Sequence, residues 1–202
     1  MGFDIVRLQV QRRPLKTGRA PQREYQPAAL QSVSRVEIGP RGAVGVVPRM
    51  ATTTNGDAGS AERILDVHHR DHPQTRDPRG EAGVTIMGTG DYLALRQAYG
   101  PHLIDGLAAE TILVDAPNGL ARRQLPPRFT VHTALGAVPF VSVRAADPCV
   151  EFARFCLGES PSAQVSEAVR QALIDLDDGA RGYRAVATHA GVLQIGDRVE
   201  FD

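Results

Sequence analysis

The strongest constraint in this sequence is its punctuation. Short runs that alternate apolar and polar residues recur along the chain, separated by glycine turns, and few stretches repeat at a helical period. DIVRLQV (4–10) alternates well enough for a strand. SVSRVEI (32–38) and AVGVV (43–47) flank the turn signal Gly39-Pro40-Arg41-Gly42 and predict a hairpin. ILDVHH (64–69) and GVTIM (83–87) read as two further strands. TILVD from 111, RFTVHT (128–133) and AVPFVSVRA (137–145) continue the pattern, as do the closing runs GYRAVATHA, VLQI and RVEF with turns at Gly191 and Gly196-Asp197. Three stretches are helical instead. One is 90–99, capped by Thr89, with Tyr92, Leu95 and Tyr99 at spacings of three and four. The others are 148–157 and 163–176, the last with Val165, Val169, Leu173 and Leu176 on one face and Gly179 as its stop. Many short strands and few helices predict a mainly β fold, a small β-barrel decorated by a few helices. Segments 11–29 and 49–61 lack periodicity and read as loops. With no linker and no internal repeat, the 202 residues are expected to form a single domain.

Composition narrows the function. At 42% hydrophobic and 23% charged residues, the chain is an ordinary globular one. The 23 basic and 23 acidic residues cancel, which argues against a nucleic-acid partner. No run approaches the ~18 apolar residues of a membrane span. The start, Met-Gly-Phe-Asp-Ile, lacks a basic leader and an apolar signal core, so no secretion signal is expected. Two cysteines, Cys149 and Cys156, make no disulfide framework and suggest a reducing compartment, the cytoplasm. Lys16 is the only lysine and lies in the 11–29 loop, so a covalent pyridoxal phosphate is not expected in this chain. Nucleotide-phosphate loops and a G-x-S-x-G elbow are absent from the sequence.

The chemistry concentrates at Cys149. The run Ala146-Asp147-Pro148-Cys149 follows a long strand and opens a helix. Asp147 is a favoured N-cap and Pro148 suits the first helical position, which puts Cys149 at the second. The backbone N–H groups there have no intrahelical acceptor, and the positive end of the helix dipole stabilises a thiolate. Arg144 just upstream adds to that effect, while Asp147 and Glu151 oppose it. Cys156 lies roughly 10 Å further along the axis, at ~1.5 Å per residue, too far for a disulfide within one helix. Beside Phe152 and Phe155 it suits an inert, packed thiol. The bland alternative for Cys149 is a small buried hydrophobe that begins a helix.

Three segments, in order, resemble the MOSC domain, the family named for the C-terminal part of molybdenum-cofactor sulfurases. They are Gly106-Leu107-Ala108-Ala109-Glu110-Thr111-Ile112-Leu113-Val114, then Asp147-Pro148-Cys149, then Gly191-Val192-Leu193-Gln194-Ile195-Gly196-Asp197-Arg198-Val199. The resemblance covers about residues 60–202. It implies a β-barrel, of the type also seen in pyruvate kinase, with one reactive cysteine that carries sulfur as a persulfide or ligates the molybdenum of a pterin cofactor (molybdopterin). Cys149 is the matching position, with Glu110, Thr111 and Arg144 as implied cofactor contacts. Implied partners are a cysteine desulfurase or an electron-donor protein; with the latter, the activity would be reduction of N-hydroxylated compounds. The family's Gly-Glu-Asn step reads Ala109-Glu110-Thr111 here, losing a flexible backbone position and a side-chain amide. The basic, glycine-rich stretch expected before the middle of the domain is replaced by His68-His69-Arg70-Asp71-His72.

Other signals compete. His68, His69, Asp71 and His72 form either a metal-binding loop or a polar loop at the barrel mouth. His132 and His189 sit inside expected strands and read as satisfied barrel histidines. Arg122, Arg123 and Arg128 form either a solvated basic turn or a grip for an anionic cofactor tail. A non-catalytic barrel that binds a ligand or a protein, keeping the fold without the chemistry, is the alternative function.

Overall fold

The computed structural model describes residues 1–48, 61–75, 77–79, 83–121 and 125–202. Residues 49–60 of the second expected loop, and Arg122 and Arg123, lie outside the described residues. In chain order the strands are β1 (Gly2–Gln11), β2 (Lys16–Thr17), β3 (Glu24–Tyr25), β4 (Leu30–Val33), β5 (Arg35–Gly39), β6 (Gly42–Val47), β7 (Glu62–Leu65) and β8 (Val84–Gly88). Helix α1 (Thr89–Tyr99) leads to β9 (Ile112–Val114), β10 (Arg128–Thr133) and β11 (Gly136–Ala145). Helices α2 (Val150–Leu157) and α3 (Glu167–Asp175) precede β12 (Tyr183–Ala187), β13 (Gly191–Gln194) and β14 (Arg198–Phe201).

Seven strands close into a mixed barrel in the order β14-β10-β11-β12-β8-β9-β1, with β1 returning to β14. Strand β1 makes the closure because it is long enough to change partners. Gly2–Asp4 pair with β14, Ile5–Leu8 with β9 and Leu8–Gln11 with β4, and the register shifts between Ile5 and Arg7. The parallel pair β8–β9 is joined by the crossover through α1, as a parallel pair requires. A second sheet, β13-β5-β6-β7, packs beside the barrel. The alternation read in the sequence follows from barrel geometry, where successive residues point in and out. In β12, Tyr183, Ala185 and Ala187 are buried while Arg184 and Val186 are not. Inside, Phe129 stacks on Phe140 at 4.6 Å between ring centres, with Phe201 tilted against it. A second apolar cluster joins the helices to the outside of the barrel, around Tyr92, Leu103, Phe152, Cys156, Val169 and Leu176. No helix of the described residues is long and apolar enough to cross a membrane.

Several element ends differ from the expectations, each through a side chain that captures backbone donors. The strand expected over 64–69 ends at Leu65, because the Asp66 carboxylate accepts the N–H groups of Gln11 and His68 and turns the chain. The cap of α1 is Gly88 rather than Thr89, and the buried Asp91 carboxylate accepts the Gly88, Leu120 and Ala121 N–H groups. Helix α3 starts at Glu167, later than expected, with the Ser166 hydroxyl accepting from Val169 N–H, while its end at Asp175 lies within a residue of the expected one. The 11–29 loop holds the small β2–β3 pair and a 3-10 turn at Pro27–Ala29. His189 falls beyond the end of β12, exposed in a bend. His132 does lie in a strand, on its outer face, 3.2 Å from Glu200.

Candidate functional site

Where β11 hands over to α2, the register against β12 shifts between Val141 and Arg144, and Ser142 takes a left-handed backbone conformation (φ 58°). Bulges of this kind re-aim side chains beside functional sites. Past it, Arg144 stands opposite Arg184 across the two strands. Like charges set face to face cost stability unless negative charge stands beside them. Asp147 supplies part of that charge: its carboxylate is 3.7 Å from the Arg184 guanidinium, and its carbonyl accepts from Arg181 at 3.0 Å.

The expected helix start is corrected here. Asp147 and Pro148 are outside α2, the Asp147 side chain is 87% exposed, and Cys149 itself is the N-cap, in extended conformation with no side-chain cap bond. The thiol therefore sits just before the first helical turn, half-buried. Glu151, expected to oppose a thiolate, is held between Lys16 at 3.2 Å and Arg23 at 3.0 Å. Burial would raise its carboxyl, but its own backbone N–H, Lys16 and Arg23 hold it below the ordinary range. Cys156 is fully buried, and burial pushes its thiol up to about 12, the packed and inert cysteine that its position predicts.

A cavity of about 230 Å³ opens beside this junction. Lys16, His68, Arg181 and Arg184 bring charge or polarity to its lining, Thr85 and Thr111 bring hydroxyls, and Leu15, Val67 and Val84 bring apolar surface. Among the described residues no carboxylate lines it, and the carboxylates that pair with Lys16 and Arg184, Glu151 and Asp147, stand outside the lining. Cys149 is not itself in the lining. It packs against the same apolar cluster as Tyr25, which does line the cavity. Burial holds the Tyr25 phenol well above its ordinary range, with Arg181 opposing, and its hydroxyl donates to Leu107 carbonyl at 2.7 Å. Arg181 also lies over the Phe152 ring at 5.1 Å, which fixes its guanidinium at the cavity wall.

Thr111 and Ala109 both line the cavity. Glu110 between them does not line it. Its side chain is buried (1% exposed) and accepts the Tyr92 hydroxyl at 2.6 Å, and Tyr92 in turn accepts Ala108 N–H. Burial raises the Glu110 carboxyl to about 7, against the lowering effect of Tyr92, its own N–H and Arg7. Ala109 adopts φ 68°, a conformation suited to glycine.

The histidine run separates into different roles. His68 alone lines the cavity, with its Nδ1 3.0 Å from the buried Asp66 carboxylate, leaving Nε2 as the other ring nitrogen. His69 is buried and accepts Asp71 N–H; His72 accepts Gln74 N–H and bonds the Arg12 carbonyl through Nε2. Among the described residues, no group of three or more His, Cys, Asp or Glu is placed to hold a metal ion. Arg128 sits exposed on β10 and is not part of the cavity lining. The cavity residues missed in the sequence, Lys16, Tyr25, Arg181 and Arg184, come from two distant segments. The one available signal was Arg181 and Arg184 flanking Gly182-Tyr183 at a strand start.

No family model and no curated protein sequence matches the chain. Among solved structures, the YuaD protein from Bacillus subtilis is similar over 99% of this chain and 95% of its own, at 12% identity and a TM-score of 0.55. A hypothetical protein of known structure is similar over 100% of this chain and 68% of its own, at 10% identity and a TM-score of 0.50. At these identities the likeness is one of fold: a closed seven-stranded mixed β-barrel carrying three helices among the described residues.

Proposed function

We propose that this is a MOSC-type barrel in which Cys149 handles sulfur or molybdenum cofactor beside an anion-binding cavity. The observation that carries the reading is the pairing of a half-buried cysteine at a helix N-terminus with a neighbouring cavity that is cationic and free of lining carboxylates among the described residues. A second supports the resemblance itself. Ala109 stands where the family has glycine, and its φ of 68° is a glycine conformation.

The residues present fit an anionic pterin cofactor. Lys16, Arg181 and Arg184 suit a phosphate-bearing tail, Thr111 offers a hydroxyl, and Cys149, beside the cavity rather than in its lining, offers the soft sulfur that a thiophilic metal prefers. When bound, such a group supplies two-electron redox chemistry. The chain's own part is then to ligate through Cys149, to neutralise the tail and to orient it. His68, its ring fixed by Asp66, is placed to pass a proton to or from whatever occupies the cavity.

In the sulfur-carrier form of the reading, the Cys149 thiolate attacks the terminal sulfur of a desulfurase persulfide. The donor's S–S bond breaks, its cysteine leaves as a thiolate, and Cys149 holds the new persulfide. The Glu110 carboxyl, walled off from the cavity by the Ala109–Thr111 backbone, serves to hold that segment through Tyr92 and is a positioning residue.

Purification from a host that makes molybdenum cofactor tests the reading, with metal analysis, pterin fluorescence and persulfide detection on the same sample. Molybdenum with pterin, or a persulfide, that disappears in Cys149→Ser supports it. Their absence from the wild-type protein, even after incubation with a desulfurase and cysteine, leaves the alternative of a non-catalytic binding barrel. Molybdenum retained by Cys149→Ser excludes Cys149 as an essential ligand.

A further inference from the structure

Glu151, Arg154 and Phe155 fall on one stripe of α2, and with its C-cap Gly158 they line a second groove of about 330 Å³. Tyr25 is shared with the first cavity, and the Lys16–Glu151–Arg23 ion group stands between the two. Arg154 is the anomaly. It is 3% exposed, donates from Nη2 to the Gln164 carbonyl at 2.9 Å, and has no partner for Nε or Nη1 among the described residues. A guanidinium has donors and no acceptor, and buried polar groups are almost always paired. The nearby carboxylates do not answer it: Glu151 is taken by Lys16 and Arg23, and both Glu159 oxygens accept the Ser166 hydroxyl.

We propose that this groove binds an organic oxyanion, a carboxylate or a phosphate ester, received by Arg154. Charge and donor-only chemistry require acceptor oxygens on the ligand. The Phe155 and Tyr25 rings, 5.2 Å apart at the same groove, suit an apolar body behind the anionic head. Residues 158–161 are exposed and form the outer rim of the same groove. The site is independent of the chemistry proposed at Cys149.

The test follows the Arg154 Nε–Hε resonance in ¹H–¹⁵N spectra, identified by its loss in Arg154→Lys. The intact protein is titrated separately with benzoate, phenyl phosphate and inorganic phosphate. A saturable shift with benzoate or phenyl phosphate supports the proposal and tells the two head groups apart. It should be at least about tenfold weaker with inorganic phosphate, which has no apolar body. The variants Cys149→Ser and Arg184→Ala must keep the response, which separates this site from the first cavity. Should Arg154→Lys fail to fold, Phe155→Ala serves instead, with the resonance assigned through its backbone connectivity and the benzoate response weakened. A resonance unmoved by all three probes up to about 50 mM overturns the proposal, since binding weaker than that is worth less than ~2 kcal/mol. Equal response to bare phosphate, or a response lost in Arg184→Ala, overturns it as well.

Discussion

Replacing Glu110 with glutamine isolates the energetic consequence of a carboxyl buried in the helix-side apolar cluster. Its folded-state value of about 7 lies above the ordinary 4.5, with burial as the main cause. A carboxyl raised in this way holds its proton more tightly folded than unfolded. Its stabilising contribution is complete below about pH 4.5 and is lost as pH climbs through 7. At roughly 1.36 kcal/mol per pKa unit, the gap corresponds to about 3 kcal/mol between pH 4 and pH 8. Glu110→Gln keeps an oxygen for the Tyr92 hydroxyl and cannot ionise. The difference in unfolding free energy, variant minus wild type, should therefore rise by about 3 kcal/mol from pH 4 to pH 8 in urea titrations. Whatever constant cost the amide brings cancels in that comparison. A difference that stays flat, or that falls with pH, refutes the assignment of a buried, proton-holding Glu110.

Three further outcomes follow from the same structure. Ala109→Gly relieves about 1–2 kcal/mol of left-handed strain and returns about 0.4–1 kcal/mol to the unfolded chain, so the variant should melt higher than wild type, and a lower melting temperature contradicts it. Asp91→Ala strips the acceptor from Gly88, Leu120 and Ala121 N–H and should cost about 3 kcal/mol or more in chemical denaturation. A loss below about 1 kcal/mol would show that α1 is anchored otherwise. Cys156→Ser, which buries a hydroxyl, should destabilise by about 1–3 kcal/mol, whereas Cys149→Ser at its half-buried cap should cost less; the reverse order contradicts the division of the two thiols.

Strands were legible where one face is buried and the next residue is not. RFTVHT coincides with β10, and the expected hairpin appears over 35–47 as β5 and β6 with the expected turn, because inside–outside alternation is written directly into each residue; residues 32–33 of its first strand belong instead to β4, paired with β1. Element ends were less legible wherever a distant partner decides them. The turn at Asp66 depends on Gln11 N–H, 55 positions away, and the cap of α2 moved to Cys149 because Asp147 is engaged by Arg181 and Arg184 rather than by the helix. The cavity was the least legible feature. Lys16, Tyr25, His68, Thr111, Arg181 and Arg184 converge only once the barrel closes, and no local spacing encodes that meeting. Cys149 could be singled out early because its setting is local, a strand end running into a helix start. Its neighbours could not.

The most direct measurement of the central claim is competitive alkylation of the folded protein with iodoacetamide at neutral pH, read cysteine by cysteine through peptide mass spectrometry. A chemically available thiol at the start of α2 predicts that Cys149 is modified at least about tenfold faster than the buried Cys156, with a phosphate-bearing pterin slowing Cys149 alone. Equal rates, or a Cys149 that resists labelling until the protein unfolds, would contradict it.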